Sequence, residues 1–304
     1  MSDAPDPDPL ESLLATLDLT DTGARTDEDI FTGPSQWMPG GRIFGGQVYA
    51  QSIMAAARTV EDDRAIHSTH GYFLRPGDAT APITFSVDRI HDGRSFSTRR
   101  TQAYQGGVPI LSMIASFQDD DPGIEHQVAM PEGVTPPEEL PSAAEVLAPI
   151  DHPIAQFWAT SRAFDIRHVD QPIYLRADAD RRAHQGVWIR TKGAMPDDDR
   201  LHRAALAYAS DYPILEPVMR RHGLAWTHRG LKMASLDHAM WWHRPLRVDE
   251  WLLYLQESPT ASGGRGLATG RVFTRDGVLV ASIAQEGMVR VPELRGPDDA
   301  RTTP

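Results

Sequence analysis

Asp211 is the residue of this sequence whose position most favours chemistry. It follows the apolar run of residues 204–209 and precedes Tyr212-Pro213. Proline disfavours helical geometry at the residue before it and supplies no backbone donor, so a helix should end or kink beside this carboxylate. A carboxylate at the edge of a buried helix is a candidate general base, while a capping or solvated aspartate is the commoner alternative.

Two further polar residues lie next to apolar segments. Gln285 ends the apolar run of residues 278–284, and Ser235 lies in the segment MASLDH at 233–238. A buried amide must find hydrogen-bond partners, which are either neighbouring backbone groups or a water or carbonyl group that it orients. A serine in this segment carries no chemical meaning by itself.

Paired glycines open a predicted helix over residues 45–60, in which apolar residues recur at helical spacing. Backbone N–H groups at a helix start can bind an oxyanion, which makes Gly46 the oxyanion candidate. Equally, the missing side chains could serve only the close packing of this helix on a sheet. The sequence leaves both roles open.

An antiparallel meander should follow this helix. Residues 83–90 and 95–104 are predicted strands joined at Asp92-Gly93, a dipeptide typical of hairpins, and residues 108–117 form a predicted buried strand. A second unit follows, with the strands FDIRHV and GVWIRTKG, the helix LHRAALAYASDY and three later strands. Each half combines a helix with an antiparallel sheet, which is an α+β architecture.

Two landmarks recur at nearly constant spacing. FLRP at 73–76 matches WHRP at 242–245, an offset of 169 (244 − 75), and GV at 107–108 matches GV at 277–278, an offset of 170 (277 − 107). The shared order of elements indicates an internal duplication, whose two sheets could pair edge to edge. Because residues 119–153 are acidic and rich in proline, we predict domains of residues 1–118 and 154–304 joined by a linker of residues 119–153.

The composition of the 304-residue chain excludes several classes of function. A net charge of −12 argues against a nucleic-acid partner, although 30 Lys and Arg residues still permit a local basic pocket for a small anionic ligand. The lack of cysteine excludes disulfides, thiolate metal sites and a cysteine nucleophile, and it fits a reducing compartment. Since we find neither a secretory signal nor an apolar run of membrane-spanning length, we expect a cytoplasmic protein.

Motifs of other enzyme classes are missing. The sequence has no Gly-x-Ser-x-Gly nucleophile elbow, no phosphate-binding Gly-x-x-x-x-Gly-Lys-Ser/Thr loop and no full Gly-x-Gly-x-x-Gly fingerprint. The histidines at 67, 70, 238 and 243 show no His-Glu-x-x-His pattern, so we interpret them as core or turn residues rather than metal ligands. We therefore expect neither a metal nor a cofactor.

Taken together, the ordered segments resemble the bacterial type II acyl-CoA thioesterases, the TesB-like double-hotdog family. The likeness runs from about residue 41 to about residue 291 and leaves out the two ends and the acidic linker. The segments that carry it are GGQV, HSTHGYFLRPG, DGRSFSTRR, MIASFQ, FDIRHVDQP, VWIRTKG, LAYASDY, ASLDHAMWWHRP, EWLLY, DGVLVAS and AQEGMVR.

The resemblance implies two tandem hotdog domains, each a helix wrapped by an antiparallel β-sheet, with the catalytic residues in the second domain. It assigns the family's catalytic Asp, Thr and Gln to Asp211, Ser235 and Gln285, so a serine stands where the family has threonine. The hydroxyl is kept and the methyl group that stiffens χ1 is lost, so we expect a modest effect on rate or acyl preference. The resemblance further implies acyl-CoA as substrate, no metal and a homo-oligomer.

The expected reaction is the hydrolysis of fatty acyl-CoA to a free fatty acid and CoA. Asp211 would accept a proton from a water molecule held by Ser235 and Gln285, and a thiolate with a pKa of about 8.5 leaves without a strong acid. The alternative is a protein that binds acyl-CoA or an acylated carrier without hydrolysis. A hotdog hydratase is disfavoured because Asp237 and His238, adjacent in a strand, point to opposite faces.

Overall fold

The structure, a computed structural model, describes residues 8–24 and 26–292 of the chain. The helices are α1 (Pro9–Leu17), α2 (Gly45–Ala57), α3 (Ala143–Leu147), α4 (Pro153–Thr160), α5 (Asp199–Ser210) and α6 (Glu216–Arg221), with a short 3-10 turn at Pro137–Glu139. The strands of the first half are β1 (Thr20–Asp21), β2 (Asp29–Gly33), β3 (Ala65–Phe73), β4 (Ile83–Asp92), β5 (Phe96–Gln105) and β6 (Val108–Gln118). Those of the second half are β7 (Phe164–His168), β8 (His184–Thr191), β9 (Lys232–Ser235), β10 (Asp237–Trp242), β11 (Leu252–Ser262), β12 (Arg265–Thr274) and β13 (Leu279–Arg290).

All of these strands join one continuous antiparallel sheet. Its order is β1-β2-β4-β5-β6-β3-β10-β13-β12-β11-β8-β7, and β9 pairs with the end of β13. Helix α2 packs on β4, β5 and β6, and it also contacts α5, the long helix of the second half. The two long helices therefore meet on the same face of the sheet, and their buried apolar residues belong to one core.

The centre of the sheet displays the internal duplication. Strands β3 and β10 pair in antiparallel fashion, and His70 lies opposite Ala239. The difference between these numbers is 169 (239 − 70), which is the offset between the FLRP and WHRP landmarks. Each of the two residues therefore pairs with its own counterpart, as a twofold relation between the halves requires. The α+β class, the edge-to-edge pairing of the two sheets and the double-hotdog architecture implied by the resemblance are confirmed.

The predicted elements agree with the structure except at their ends and in short segments. The helix predicted over residues 45–60 ends at Ala57, and the sequence predicted none of α1, β1, β2, α3, α4 and α6. Residues 119–153 contain the 3-10 turn, α3 and the first residue of α4, and the indole of Trp188 donates to the Thr135 carbonyl oxygen at 2.9 Å. The domain limits remain predictions, and residues 1–7 and 293–304 of the predicted domains lie outside the described residues.

Helix α2 is buried along almost its whole length, and its first turn makes the closest approach to α5. An added Cβ atom at Gly46 would lie 2.3 Å from the backbone carbonyl oxygen of Tyr208. No side chain fits at that distance, because the obstacle is the backbone of the neighbouring helix rather than a movable side chain. The close packing proposed for the paired glycines is thus real, but it is the packing of helix on helix.

We predict that Gly46→Ala destabilises the protein. Alanine favours a helix by up to about 1 kcal/mol over glycine, but the overlap with Tyr208 forces the two helices apart, and such overpacking costs about 1–3 kcal/mol. Urea unfolding should show a lower free energy of unfolding. Gly123→Ala is the matched control, since no atom lies within 4 Å of an added Cβ there. A Gly46→Ala protein as stable as the parent would contradict the described helix contact.

Candidate active site

The carboxylate of Asp211 lies where the C-terminal end of α5 meets the N-terminal end of α2. Asp211 is the residue that caps α5, as the proline at 213 predicted. Its Oδ2 accepts the backbone N–H of Gly46 at 2.8 Å. Its Oδ1 accepts the hydroxyl of Ser235 at 3.0 Å and the amide Nε2 of Gln285 at 2.9 Å. The four residues singled out from the sequence are therefore in direct contact around a single carboxylate.

The position of this carboxylate has an electrostatic reason. Phe44 precedes α2 and offers no side-chain cap, so the first N–H groups of that helix need an acceptor from elsewhere. Asp211 supplies one from the other half of the chain, at the positive end of the α2 dipole. The same carboxylate sits at the negative end of its own helix, which disfavours its charge. The contact with α2 is what compensates for that position.

Strand register brings Ser235 and Gln285 together. Ser235 ends β9 and lies opposite Gly287 of β13, two residues beyond Gln285 on the same strand. The amide Nε2 of Gln285 is 2.9 Å from the Ser235 hydroxyl, so each of these side chains contacts the other as well as Asp211. On its other side Gln285 pairs through its backbone with Ala268 of β12, while its side-chain amide reaches Asp211 at the end of α5.

His238 and Tyr49 are site residues that the sequence reasoning missed. The Nδ1 atom of His238 contacts the Oε1 atom of Gln285, and its Nε2 atom is 3.0 Å from the hydroxyl of Ser210. The hydroxyl of Tyr49 bonds to the His238 carbonyl oxygen at 2.9 Å. His238 is a core residue, as expected, but one that touches the candidate site. A buried amide has both donors and an acceptor to satisfy, so Gln285 could have indicated a further polar partner such as His238.

Aromatic rings shield the carboxylate from solvent on the side of α5. Phe44 stacks on Tyr212 with 4.7 Å between ring centroids and meets Tyr208 edge-on at 5.1 Å. The guanidinium group of Arg162 lies over the far face of this cluster, 4.7 Å from the centroid of the Tyr212 ring. Asp211 itself stays partly exposed, and where the cluster excludes water the electrostatic interactions of the site are stronger than in water.

Burial opposes charge on both titratable groups at the centre. It raises the pKa of the Asp211 carboxyl above the ordinary value of 3.8, against the opposing effects of His238 and of the donors Gln285, Ser235 and Gly46. Burial likewise lowers the pKa of the His238 imidazole below its ordinary value of 6.5. A carboxylate with a raised pKa is a stronger base, and a histidine with a lowered pKa is a neutral ring at physiological pH.

The side chains of Asp237 and His238 point to different parts of the structure. The carboxylate of Asp237 accepts the backbone N–H of Glu286 at 2.7 Å, whereas the ring of His238 points inward to Gln285. The alternation of strand side chains predicted this separation. The acid–base pair expected of a hydratase is therefore not assembled at these two positions.

A basic cavity lies behind the aromatic cluster, as the count of basic residues permitted. Its volume is about 280 Å³, and Arg162, which covers Tyr212, is part of its wall. The charged residues that line it are Arg162, Arg167, Arg190, Lys192, Glu145 and Asp165. Asp165 lies 2.9 Å from Arg167 and 4.0 Å from Arg190, and four basic against two acidic side chains leave the lining positive.

Neither a metal cluster nor a membrane-spanning helix is found in the part of the chain that the structure describes. Over residues 8–24 and 26–292, no group of three or more His, Cys, Asp or Glu side chains could hold a metal ion. In the same ranges, no helix has the length and apolar character needed to cross a membrane.

Comparison with known proteins gives consistent matches over both halves. The family described as acyl-CoA thioesterase matches residues 161–288, and the acyl-CoA thioesterase N-terminal domain matches residues 33–118. Acyl-coenzyme A thioesterase 8 of Homo sapiens is 40% identical over 277 residues, which are 87% of this chain and 86% of that protein. Acyl-CoA thioesterase 2 of Haemophilus influenzae is 36% identical over 275 residues, covering 88% of this chain and 95% of that one.

A solved structure gives the same result. The crystal structure of the acyl-CoA thioesterase II TesB2 from Mycobacterium marinum is 42% identical to this chain, with a TM-score of 0.75. The match covers 92% of this chain and 98% of that one. The resemblance that rested on short segments is therefore supported over most of the sequence and over the fold.

We predict that Asp211→Asn gains stability relative to the parent protein as the pH rises. Because the pKa of folded Asp211 is raised, the stability that its neutral form contributes is fully present below the ordinary pKa and is lost as the pH rises through the raised value. Asparagine has no such loss. The lowered pKa of His238 acts in the same direction, since protonation of its ring at low pH costs more without the neighbouring carboxylate.

Urea unfolding of both proteins at about pH 4, about pH 5.5 and about pH 7 measures this difference. Asp121→Asn, a substitution at an exposed position, is the control and should show no such trend. If Asp211→Asn instead loses stability relative to the parent as the pH rises, hydrogen bonding rather than burial dominates the pKa of Asp211.

Proposed function

The chain belongs to the acyl-CoA thioesterase family, and we propose that it hydrolyses fatty acyl-CoA to a free fatty acid and CoA with a water molecule activated by Asp211. One observation carries the mechanism. A partly buried carboxylate with a raised pKa is contacted by a hydroxyl, an amide and a helix N–H at 2.8–3.0 Å. These are the groups that general-base attack on a thioester needs.

Gly46 links substrate binding to the strength of the base. In the structure its N–H donates to Asp211. When a thioester carbonyl oxygen accepts that N–H instead, the developing oxyanion is stabilised at the positive end of α2. Asp211 then loses one of the donors that hold its pKa down, so it becomes a better base at the moment when the substrate is in place.

Ser235 and Gln285 position the water molecule in this mechanism. Both side chains contact Oδ1 of Asp211 as well as each other. A water molecule that enters between them and the carboxylate has an acceptor for one hydrogen and two fixed neighbours that set its direction. The leaving thiolate, with a pKa of about 8.5, needs no acid from the protein at neutral pH. No residue is therefore required for protonation of the leaving group.

We also retain the expectations of a cytoplasmic location and of a homo-oligomer as proposals. The lack of cysteine fits a reducing compartment. On the face of the sheet away from the long helices, Tyr72 and Ile114 are 63% and 47% exposed and lie next to the pair of β3 with β10. Apolar side chains at the centre of an open sheet face suit contact with a second copy of the chain.

We predict that Asp211→Asn lowers kcat for acyl-CoA hydrolysis by at least about 100-fold, the range expected for loss of a general base. Asparagine has nearly the same shape and still offers an acceptor to Gly46, so binding should change little. Release of the CoA thiol from a series of acyl-CoA chain lengths measures the rate, and Asp121→Asn serves as the control.

Two outcomes would contradict the proposal. Turnover of a folded Asp211→Asn protein within a few-fold of the parent would remove Asp211 from the mechanism. An absence of thiol release by the parent protein with every acyl-CoA tested would favour the alternative, a protein that binds acyl-CoA without hydrolysis.

We predict that Ser235→Ala lowers kcat by roughly 10-fold, because one hydrogen bond of about 1–1.5 kcal/mol is lost from the group that holds the water. Ser235→Thr keeps the hydroxyl and restores the residue expected in the family, so its kcat should stay within roughly threefold of the parent. The same thiol-release assay compares the three proteins. Equal rates for the serine and alanine proteins would show that the hydroxyl takes no part.

A further inference from the structure

The amide of Gln285 can be turned in two ways, and the two orientations have opposite hydrogen-bonding properties. In one, the NH2 group faces Asp211 and Ser235; in the other, the carbonyl oxygen does. Because an ionised carboxylate only accepts hydrogen bonds, the amide must present its nitrogen to Asp211, 2.9 Å away. The mechanism proposed above depends on this orientation, so some group must enforce it.

His238 is placed to do so. With the amide nitrogen on Asp211, the amide oxygen Oε1 faces the Nδ1 atom of His238. An oxygen that only accepts requires a hydrogen on Nδ1. Strand register makes this contact direct, because Ala239 pairs with Ala284 on the antiparallel strands β10 and β13, His238 precedes Ala239, and Gln285 follows Ala284.

The imidazole is itself held on the sides away from Gln285. The ring of Tyr49 meets it edge-on with 4.8 Å between ring centroids, and the hydroxyl of Ser210 lies 3.0 Å from Nε2. Burial lowers the pKa of His238, so the ring is neutral, and the amide oxygen beside Nδ1 places its one hydrogen there. Nε2 is then an acceptor for the hydroxyl hydrogen of Ser210, for which the Ala207 carbonyl oxygen at 2.8 Å is the competing acceptor. His238 is only 1% exposed and Ser210 is fully buried, so neither has water as a substitute partner.

We propose that His238 is a positioning residue for hydrolysis, whose Nδ1–H fixes the Gln285 amide with its NH2 group toward Asp211 and Ser235. This inference rests on the function proposed above. Without the Nδ1–H, the amide oxygen loses the donor that His238 provides, and a flipped amide becomes the competing state. In that state an amide oxygen faces the carboxylate, where it repels Asp211 and no longer directs the water.

Two substitutions test the roles of the two ring nitrogens of His238 separately, because each amide group can take the place of one nitrogen. In His238→Asn the amide nitrogen can occupy about the place of Nδ1 and donate to Gln285. In His238→Gln the amide group reaches about the place of Nε2 and Ser210, and the donor toward Gln285 is lost. A purely structural role would favour glutamine, since its volume is nearer to that of histidine. A positioning role favours asparagine.

We therefore expect kcat of His238→Asn to stay within roughly fivefold of the parent, and that of His238→Gln to fall by roughly 10- to 100-fold, the effect of a misplaced reacting group. KM should change little in either, because the substrate does not touch His238 in the proposed mechanism. The thiol-release assay gives both constants, and thermal unfolding reports on the fold. If only His238→Asn folds, a loss of kcat beyond about 10-fold in that protein overturns the proposal.

A double-mutant cycle with Gln285→Ala completes the test. Once Gln285 is absent, the His238→Gln substitution should change kcat by less than about twofold, because the two residues act as one unit. An undiminished effect of His238→Gln in that background overturns the proposal, as does a higher kcat for glutamine than for asparagine. Asp211→Asn is measured in the same assay. If it remains active, the proposed function fails; if it is inactive while His238→Gln keeps full kcat, only the role of His238 fails.

Discussion

The hydrogen bonds of the partly buried Asp211 carboxylate join the two halves of the chain at the candidate active site. A carboxylate removed from water is costly unless its oxygens accept hydrogen bonds, and here the donors come from helix α2 and strands β9 and β13. The helix can come this close only because it begins with glycines. A Cβ atom at Gly45 would lie 2.7 Å from Oδ2, and one at Gly46 would strike Tyr208. The packing of the helices and the hydrogen bonding of the carboxylate are thus a single constraint.

Only the second half of the duplication carries the polar side chains that contact the Asp211 carboxylate. The offset of 169 that relates the β3 and β10 landmarks places Ser235 on Ile66, and the offset of 170 that relates β6 and β13 places Gln285 on Ala115. Neither counterpart has a polar side chain. Instead, the guanidinium group of Arg203 donates to the Ile66 carbonyl oxygen at 3.0 Å. The same backbone can therefore hold a hydroxyl and an amide against a carboxylate in one half and an arginine against a backbone oxygen in the other.

The sequence predicted local features well and relations between distant residues poorly. Asp92-Gly93 placed a hairpin, and the proline at 213 ended a helix beside Asp211, because both effects act over a few residues. The contact of Ser235 with Gln285 depends on the register of β9 against β13, which places Ser235 opposite Gly287, and a shift of one residue would turn either side chain to the other face. No local pattern encodes that register. Only the family resemblance joined these residues beforehand, and it gave no reason to single out His238.

Burial of the site serves catalysis and stability in opposite ways. The same desolvation that raises the pKa of Asp211 and strengthens it as a base makes the ionised form costly in the folded protein. The cost is limited by the N–H of Gly46, which belongs to the first half of the chain, whereas the other donors belong to the second. Without the first half, the carboxylate would keep the unfavourable end of its own helix and lose the favourable end of α2. A single unit of this fold could not hold the charge in this way, so the proposed chemistry requires both halves.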